Sequence, residues 1–135
     1  MNKFITSEQF LSQSKEVQDK IKERWYPQIG DLFINNGKYK YKERKEYCLE
    51  CINQNHIDSF NADPEFKLYF KKSSTPLLTE GNLRELIESF EGVLVELEWD
   101  SEYIIDADYR YYTGEPDSPL QAYWNALLEI VKERC

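Results

Sequence analysis

From Val93 to Tyr112 apolar and acidic residues alternate with a period of two, and only extended backbone sorts such a pattern onto two faces. Read as a hairpin of strands 93–99 and 103–112, the segment puts Val93, Val95, Leu97, Trp99, Tyr103, Ile105, Ala107, Tyr109 and Tyr111 on one face. Glu96, Glu98, Asp106 and Asp108 share the other, with Asp100 between the strands. The first face builds core. The second is negative, because nine carboxylates between Glu91 and Ser118 stand against a single base, Arg110. Like charges directly across a ladder cost roughly 0.2–1 kcal/mol per pair, so such a face is either solvated or kept for a positively charged partner.

The negative charge is segregated along the chain. Residues 1–72 carry 13 bases and 11 acids, a balance of +2, whereas residues 73–135 carry 4 bases and 14 acids, a balance of -10, so the second half supplies all of the excess negative charge behind the net -8. Its field repels nucleic-acid phosphates and steers basic surfaces inward. At 135 residues the chain is expected to be one domain, 1–135, able to bury a core without a disulfide or metal staple. Three cysteines in no framework spacing fit a reducing cytosol. The absence of an apolar leader in Met1–Thr6, and of any long apolar run, predicts a protein that does not enter a membrane and stays where it is made.

Helix signals place the remaining elements. Thr6-Ser7-Glu8-Gln9 fits a capping box ahead of Phe10, Leu11, Val17, Ile21 and Trp25, predicting one or two helices over 7–25. Thr79 caps a helix over 79–91 ended by Gly92, and Ser118-Pro119 opens one over 119–133. That last helix is apolar nearly all round, leaving only Gln121, Asn125 and Glu129 as a polar stripe, so it is either a central core helix or a homodimer seam. Asp31–Ile34, Asn35-Asn36-Gly37 and Lys38–Lys42 read as strand, turn, strand. Residues 46–60 fit neither period and are expected to be short strand or irregular, while Phe66–Phe70 reads as a strand. The fold class is therefore α+β, a mainly antiparallel sheet with helices packed on it.

Three constellations could carry chemistry. Cys48-Leu49-Glu50-Cys51 with His56 supplies half of a zinc knuckle, which only Cys135 could complete, and buried free cysteines are common without a metal. Glu96, Glu98, Asp106 and Asp108 could chelate Mg²⁺ or Ca²⁺ for a metal-dependent enzyme, but no nearby histidine or Gly-rich phosphate cradle supports catalysis. No catalytic residue, metal or cofactor is therefore assigned. The same carboxylates beside Tyr109, Tyr111 and Tyr112 suit a recognition surface, since tyrosine gives rigid amphipathic contact area and carboxylates pair with Arg and Lys. The basic strand Lys38-Tyr39-Lys40-Tyr41-Lys42 is the counter-signal, a pattern that can hold single-stranded nucleic acid or simply protect an edge.

Trp25-Tyr26-Pro27-Gln28-Ile29-Gly30-Asp31, followed by Pro76-Leu77-Leu78-Thr79-Glu80-Gly81-Asn82-Leu83, resembles small uncharacterised phage and prophage proteins of Gram-positive hosts. The strands 93–99 and 103–112 leading to Asp117-Ser118-Pro119-Leu120-Gln121-Ala122 resemble phage α/β sandwich domains. The resemblance implies a protein made in a bacterial host cytoplasm, among small acidic modulators of host enzymes. The leading expectation is a non-enzymatic accessory protein that inhibits a host protein, of the anti-defence or anti-CRISPR type. Its site would be Glu96, Glu98, Asp100, Asp106, Asp108, Tyr109, Tyr111 and Tyr112, docked on a basic, nucleic-acid-handling partner. The alternatives are an oligomeric nucleotide-binding sponge assembled through the last helix, and the metal-dependent enzyme.

Overall fold

Side-chain oxygens placed just ahead of each apolar run start the helices of this chain. The structure, a computed structural model, describes residues 3–35 and 48–135, with Cys48 described in its backbone alone. Over these residues the fold is α+β, with six helices and two antiparallel three-stranded sheets. The described residues of 26–77 form one compact unit, and those of 1–25 and 78–135 another.

In the 26–77 unit, β1 (Leu32–Asn35) lies between β2 (Cys48–Cys51) and β3 (Ser74–Leu77). Helices α3 (Gln54–Ala62) and α4 (Pro64–Ser73) supply Phe60 and Phe70, which pack edge-on, and Phe70 meets Phe33 of β1 in the same way. Two expectations are corrected in this unit. Phe66–Phe70 is helical, because Asp63 Oδ1 accepts the Glu65 and Phe66 amides and Pro64 occupies the first helical position, where its missing N–H is harmless. The period-two run Phe66, Leu68, Phe70 is coincidental, and the i,i+4 pair Phe66 and Phe70 sets the buried face. Residues 54–60 are likewise helical, started by Asn53, whose side chain accepts the His56 amide while His56 Nδ1 accepts the Asn53 amide. The basic strand 38–42 and its Asn36-Gly37 turn lie outside the described residues.

In the other unit the one or two helices expected over 7–25 are two, α1 (Ser7–Leu11) and α2 (Lys15–Arg24), each with its own cap, at Thr6 and Ser14 respectively. Helix α5 (Glu80–Glu91) follows its Thr79 cap and ends at Gly92, whose φ of 73° is open to glycine without penalty. Helix α6 (Pro119–Glu133) packs against α5, α2 and the strands β5 and β6. Its apolar circumference is thus covered within the chain, with Leu120, Tyr123, Trp124, Leu127, Ile130 and Val131 buried. The central-helix expectation accounts for the composition that also suggested an oligomer seam.

The second sheet has three strands, not two: β4 (Glu96–Trp99), β5 (Tyr103–Ala107) and β6 (Arg110–Glu115), in that order. The expected strand 103–112 is broken by a two-residue turn. Asp108 and Tyr109 both have left-handed backbone, at φ 52° and 68°, between the paired residues Ala107 and Arg110, as the primed hairpin turns require. The Tyr109 amide donates to Asp106 Oδ1 at 2.9 Å, fastening the turn.

Left-handed backbone costs a Cβ-bearing residue about 1–2 kcal/mol, and glycine gives back roughly half of that through unfolded-state entropy. Tyr109→Gly should therefore stabilise the fold by about 0.5–1 kcal/mol, read as a raised urea midpoint at unchanged slope. A lowered midpoint would show that the exposed Tyr109 ring contributes contacts that the turn geometry does not reveal.

Candidate functional site

The turn decides which side chains reach which face. Counting back through the register, Ile105 lies opposite Tyr112 and Ala107 opposite Arg110, on the side covered by α6, whereas Asp106 lies opposite Tyr111 on the outer side. An unbroken strand would have put Tyr111 in the core, as the alternation suggested. The two-residue turn puts Ala107 and Arg110, three positions apart, on the same face, which reverses the parity beyond it, so Tyr111 joins the acids and Tyr112 is buried.

On the outer side Glu96 stands directly opposite Asp106, and Glu98 is its neighbour two residues along β4. One carboxylate oxygen from each of the three lies within 4.8 Å of the others. Partial loss of solvent, then the charge and hydrogen bond of Asp106, then the charge of Glu96, hold the Glu98 carboxyl above its ordinary value. The same field, led by the Asp106 charge, pushes the Tyr111 hydroxyl upward. Glu96, Glu98, Asp106, Asp108, Tyr109 and Tyr111 line an open groove of about 670 Å³, together with Val93 and Leu94.

Four hydrogen bonds hold this groove against the helices. The Val95 amide donates to Glu88 Oε2 of α5 at 3.0 Å, fixing the approach to β4. At the other strand Arg110 donates to Glu91 Oε2 at 2.9 Å and to Glu133 Oε2 at 3.2 Å, and the Tyr112 hydroxyl donates to Glu91 Oε1 at 2.8 Å. The single base of the acidic stretch is therefore engaged on the helix side and does not neutralise the groove. Burial and the Glu91 hydrogen bond push the Tyr112 hydroxyl strongly upward, so it remains a donor at any ordinary pH.

Of the expected site residues, Glu96, Glu98, Asp106, Asp108, Tyr109 and Tyr111 are brought together. Tyr112 is not, being 5% exposed and bonded to Glu91, and Asp100 lies in the β4–β5 turn, its amide donating to the Glu102 carbonyl. Leu94, 78% exposed and ahead of the paired strand, is a groove wall that the expected site of acids and tyrosines did not include. His56 and Cys51 belong to the other unit, where His56 caps α3 and packs edge-on against Phe33. Among the described residues, the acidic trio is the group of potential metal ligands whose donor atoms converge.

The arrangement can accept a cation. Carboxylates supply charge, the exposed faces of Tyr109 and Tyr111 supply cation–π and apolar contact, and Leu94 supplies apolar area. No protein family, curated protein or solved structure was found to match the chain.

Because Glu98 is held above 4.5 in the folded state, the native protein binds that proton more tightly than the unfolded chain does. Its stabilisation is complete below the ordinary value and is lost as pH rises through the folded pKa. Glu98→Gln should flatten the fall in urea midpoint between about pH 4 and about pH 7. A slope identical to that of the parent protein would show that its surroundings do not hold Glu98 above its ordinary value.

Proposed function

We propose that this chain is a non-enzymatic, phage-encoded accessory protein that binds and inhibits a basic host protein through the outer face of the β4–β5–β6 sheet. The observation that carries the reading is the groove in which Glu96, Glu98 and Asp106 crowd together beside Tyr109 and Tyr111. Like charges held at this separation raise the free energy of the unbound face. An Arg or Lys of a partner relieves that cost and gains two aromatic walls. Such a surface presents its acids much as a nucleic acid presents phosphates, so a host protein that handles nucleic acid, including a defence effector, is a fitting target. Work in the host cytoplasm and the phage origin follow from the motif resemblance.

The test is capture from Gram-positive host lysate by the tagged full chain, at about 50 mM and about 500 mM salt, where exposed ion pairs are respectively strong and screened. A basic host protein should be retained at low salt, released at high salt, and inhibited by the purified chain. The double change Glu96→Lys with Glu98→Lys should abolish retention, while Asp106→Asn, which keeps an acceptor for the Tyr109 amide, should weaken it by about tenfold, equivalent to about 1.4 kcal/mol. Equal retention by the Lys variant would refute the surface assignment.

The convergence of three carboxylate oxygens within 4.8 Å favours one second reading, a site for Mg²⁺ or Ca²⁺. A ligand that prefers the native state stabilises it by mass action, so a rise in Tm with either ion, absent in Glu98→Gln, would support this reading. An unchanged Tm would remove it.

A further inference from the structure

We propose that the outer edge of β4 is a strand-addition site, and that its occupant is an extended segment in which Arg or Lys alternates with apolar residues. This rests on the reading of the outer face as a recognition surface and names the form of the partner.

Strand β4 ends the order β4–β5–β6, and all four of its residues are exposed. Its outward N–H and C=O groups pair with no strand among the described residues. Natural edges are usually blunted by lysine, proline, a bulge or a covering element. The opposite edge, β6, lies along α6, and its Arg110, Tyr112 and Thr113 side chains are held by Glu91, Glu133 and Glu129. Among the described residues the edge at β4 has no such cover. Its irregularity is chemical: Glu96 and Glu98 point to the groove, while Leu97 and Trp99 point to the other side, 39% and 60% exposed. Trp99 is steadied by the Tyr103 ring across the ladder, with centroids 4.7 Å apart.

A strand added beside β4 must match both sides. Alternate residues would face Glu96 and Glu98, where cations are favoured and carboxylates repelled. The intervening residues would cover Leu97 and Trp99, where only apolar side chains gain from burial. Main-chain hydrogen bonds supply affinity in this mode and the alternating side chains supply selectivity. A basic helix or a loop with clustered arginines would satisfy the groove but leave Leu97, Trp99 and the edge amides uncovered. An all-apolar strand would leave the carboxylates unpaired. Charge complementarity on one side and bare apolar area on the other thus select the alternating sequence.

The test uses the full chain and a capped peptide of about eight alternating Arg and Val residues. Trp99 reports binding by fluorescence, since Trp25 and Trp124 are buried. The peptide should bind, and N-methylation of its alternate backbone amides on one edge, which keeps every charge, should weaken it by at least about tenfold. Leu97→Ala with Trp99→Ala, read by anisotropy of a labelled peptide, should weaken binding similarly while sparing the carboxylates. Equal binding by the N-methylated peptide would overturn strand addition but leave the acidic-face function standing. Failure of the parent peptide, with host-protein capture still abolished by Glu96→Lys and Glu98→Lys, would likewise overturn it alone. Failure of the peptide together with unaltered capture by that variant would overturn both. Concentration-dependent dimers in light scattering that the Leu97 and Trp99 changes abolish would identify a second copy as the occupant and overturn the proposed one.

Discussion

Helix α6 has too little polar surface to stand beside water, and α5, α2, β5 and β6 close around it. That burial settles the orientation of the second sheet. One face of β5 and of β6 must meet the helix, so Ile105, Ala107 and Tyr112 turn inward, and the pleat sends Asp106 and Tyr111 outward, with Glu96 and Glu98 of β4 on the same side through the ladder. A shift of one residue in β5 would move Asp106 to a buried position such as Ile105 or Ala107 holds, at a cost of several kcal/mol for an unpaired carboxylate. The core and the acidic outer face are therefore two sides of one register.

That register is held by local chemistry at both ends. Glu88 receives the Val95 amide before β4 begins, and Asp106 receives the Tyr109 amide as β5 ends. The second contact gives Asp106 two roles, since it fastens the turn and contributes to the acidic cluster. Arg110, which could have quenched the groove, is drawn to Glu91 and Glu133 on the helix side. The outward face keeps its negative charge because its neighbouring cation has better partners elsewhere.

Much of this was legible in the sequence where a signal had a single physical meaning. The caps at Thr6, Thr79 and Ser118 and the Gly92 terminator each name one structure. The acidic side of the sheet followed from period two alone. What alternation could not give was its own interruption: Asp108-Tyr109 lacks the glycine that marks most primed turns, so β5 and β6 read as one strand and Tyr111 and Tyr112 exchanged places. Phe66–Phe70 misled for the opposite reason. Its short apolar run fits strand and helix equally, and the deciding residues, Asp63 and Pro64, lie before it. The groove itself, with Leu94 as a wall, depends on the chain path between Gly92 and Glu96, which no periodicity encodes.

The central claim is that the outward sheet face is the part of this chain a partner touches. Hydrogen–deuterium exchange of the full chain, alone and with a captured host protein, tests it most directly. The account predicts slowed exchange in residues 94–99 and 106–111 on complex formation. Slowing confined to α3 and α4, with the sheet amides unchanged, would contradict it.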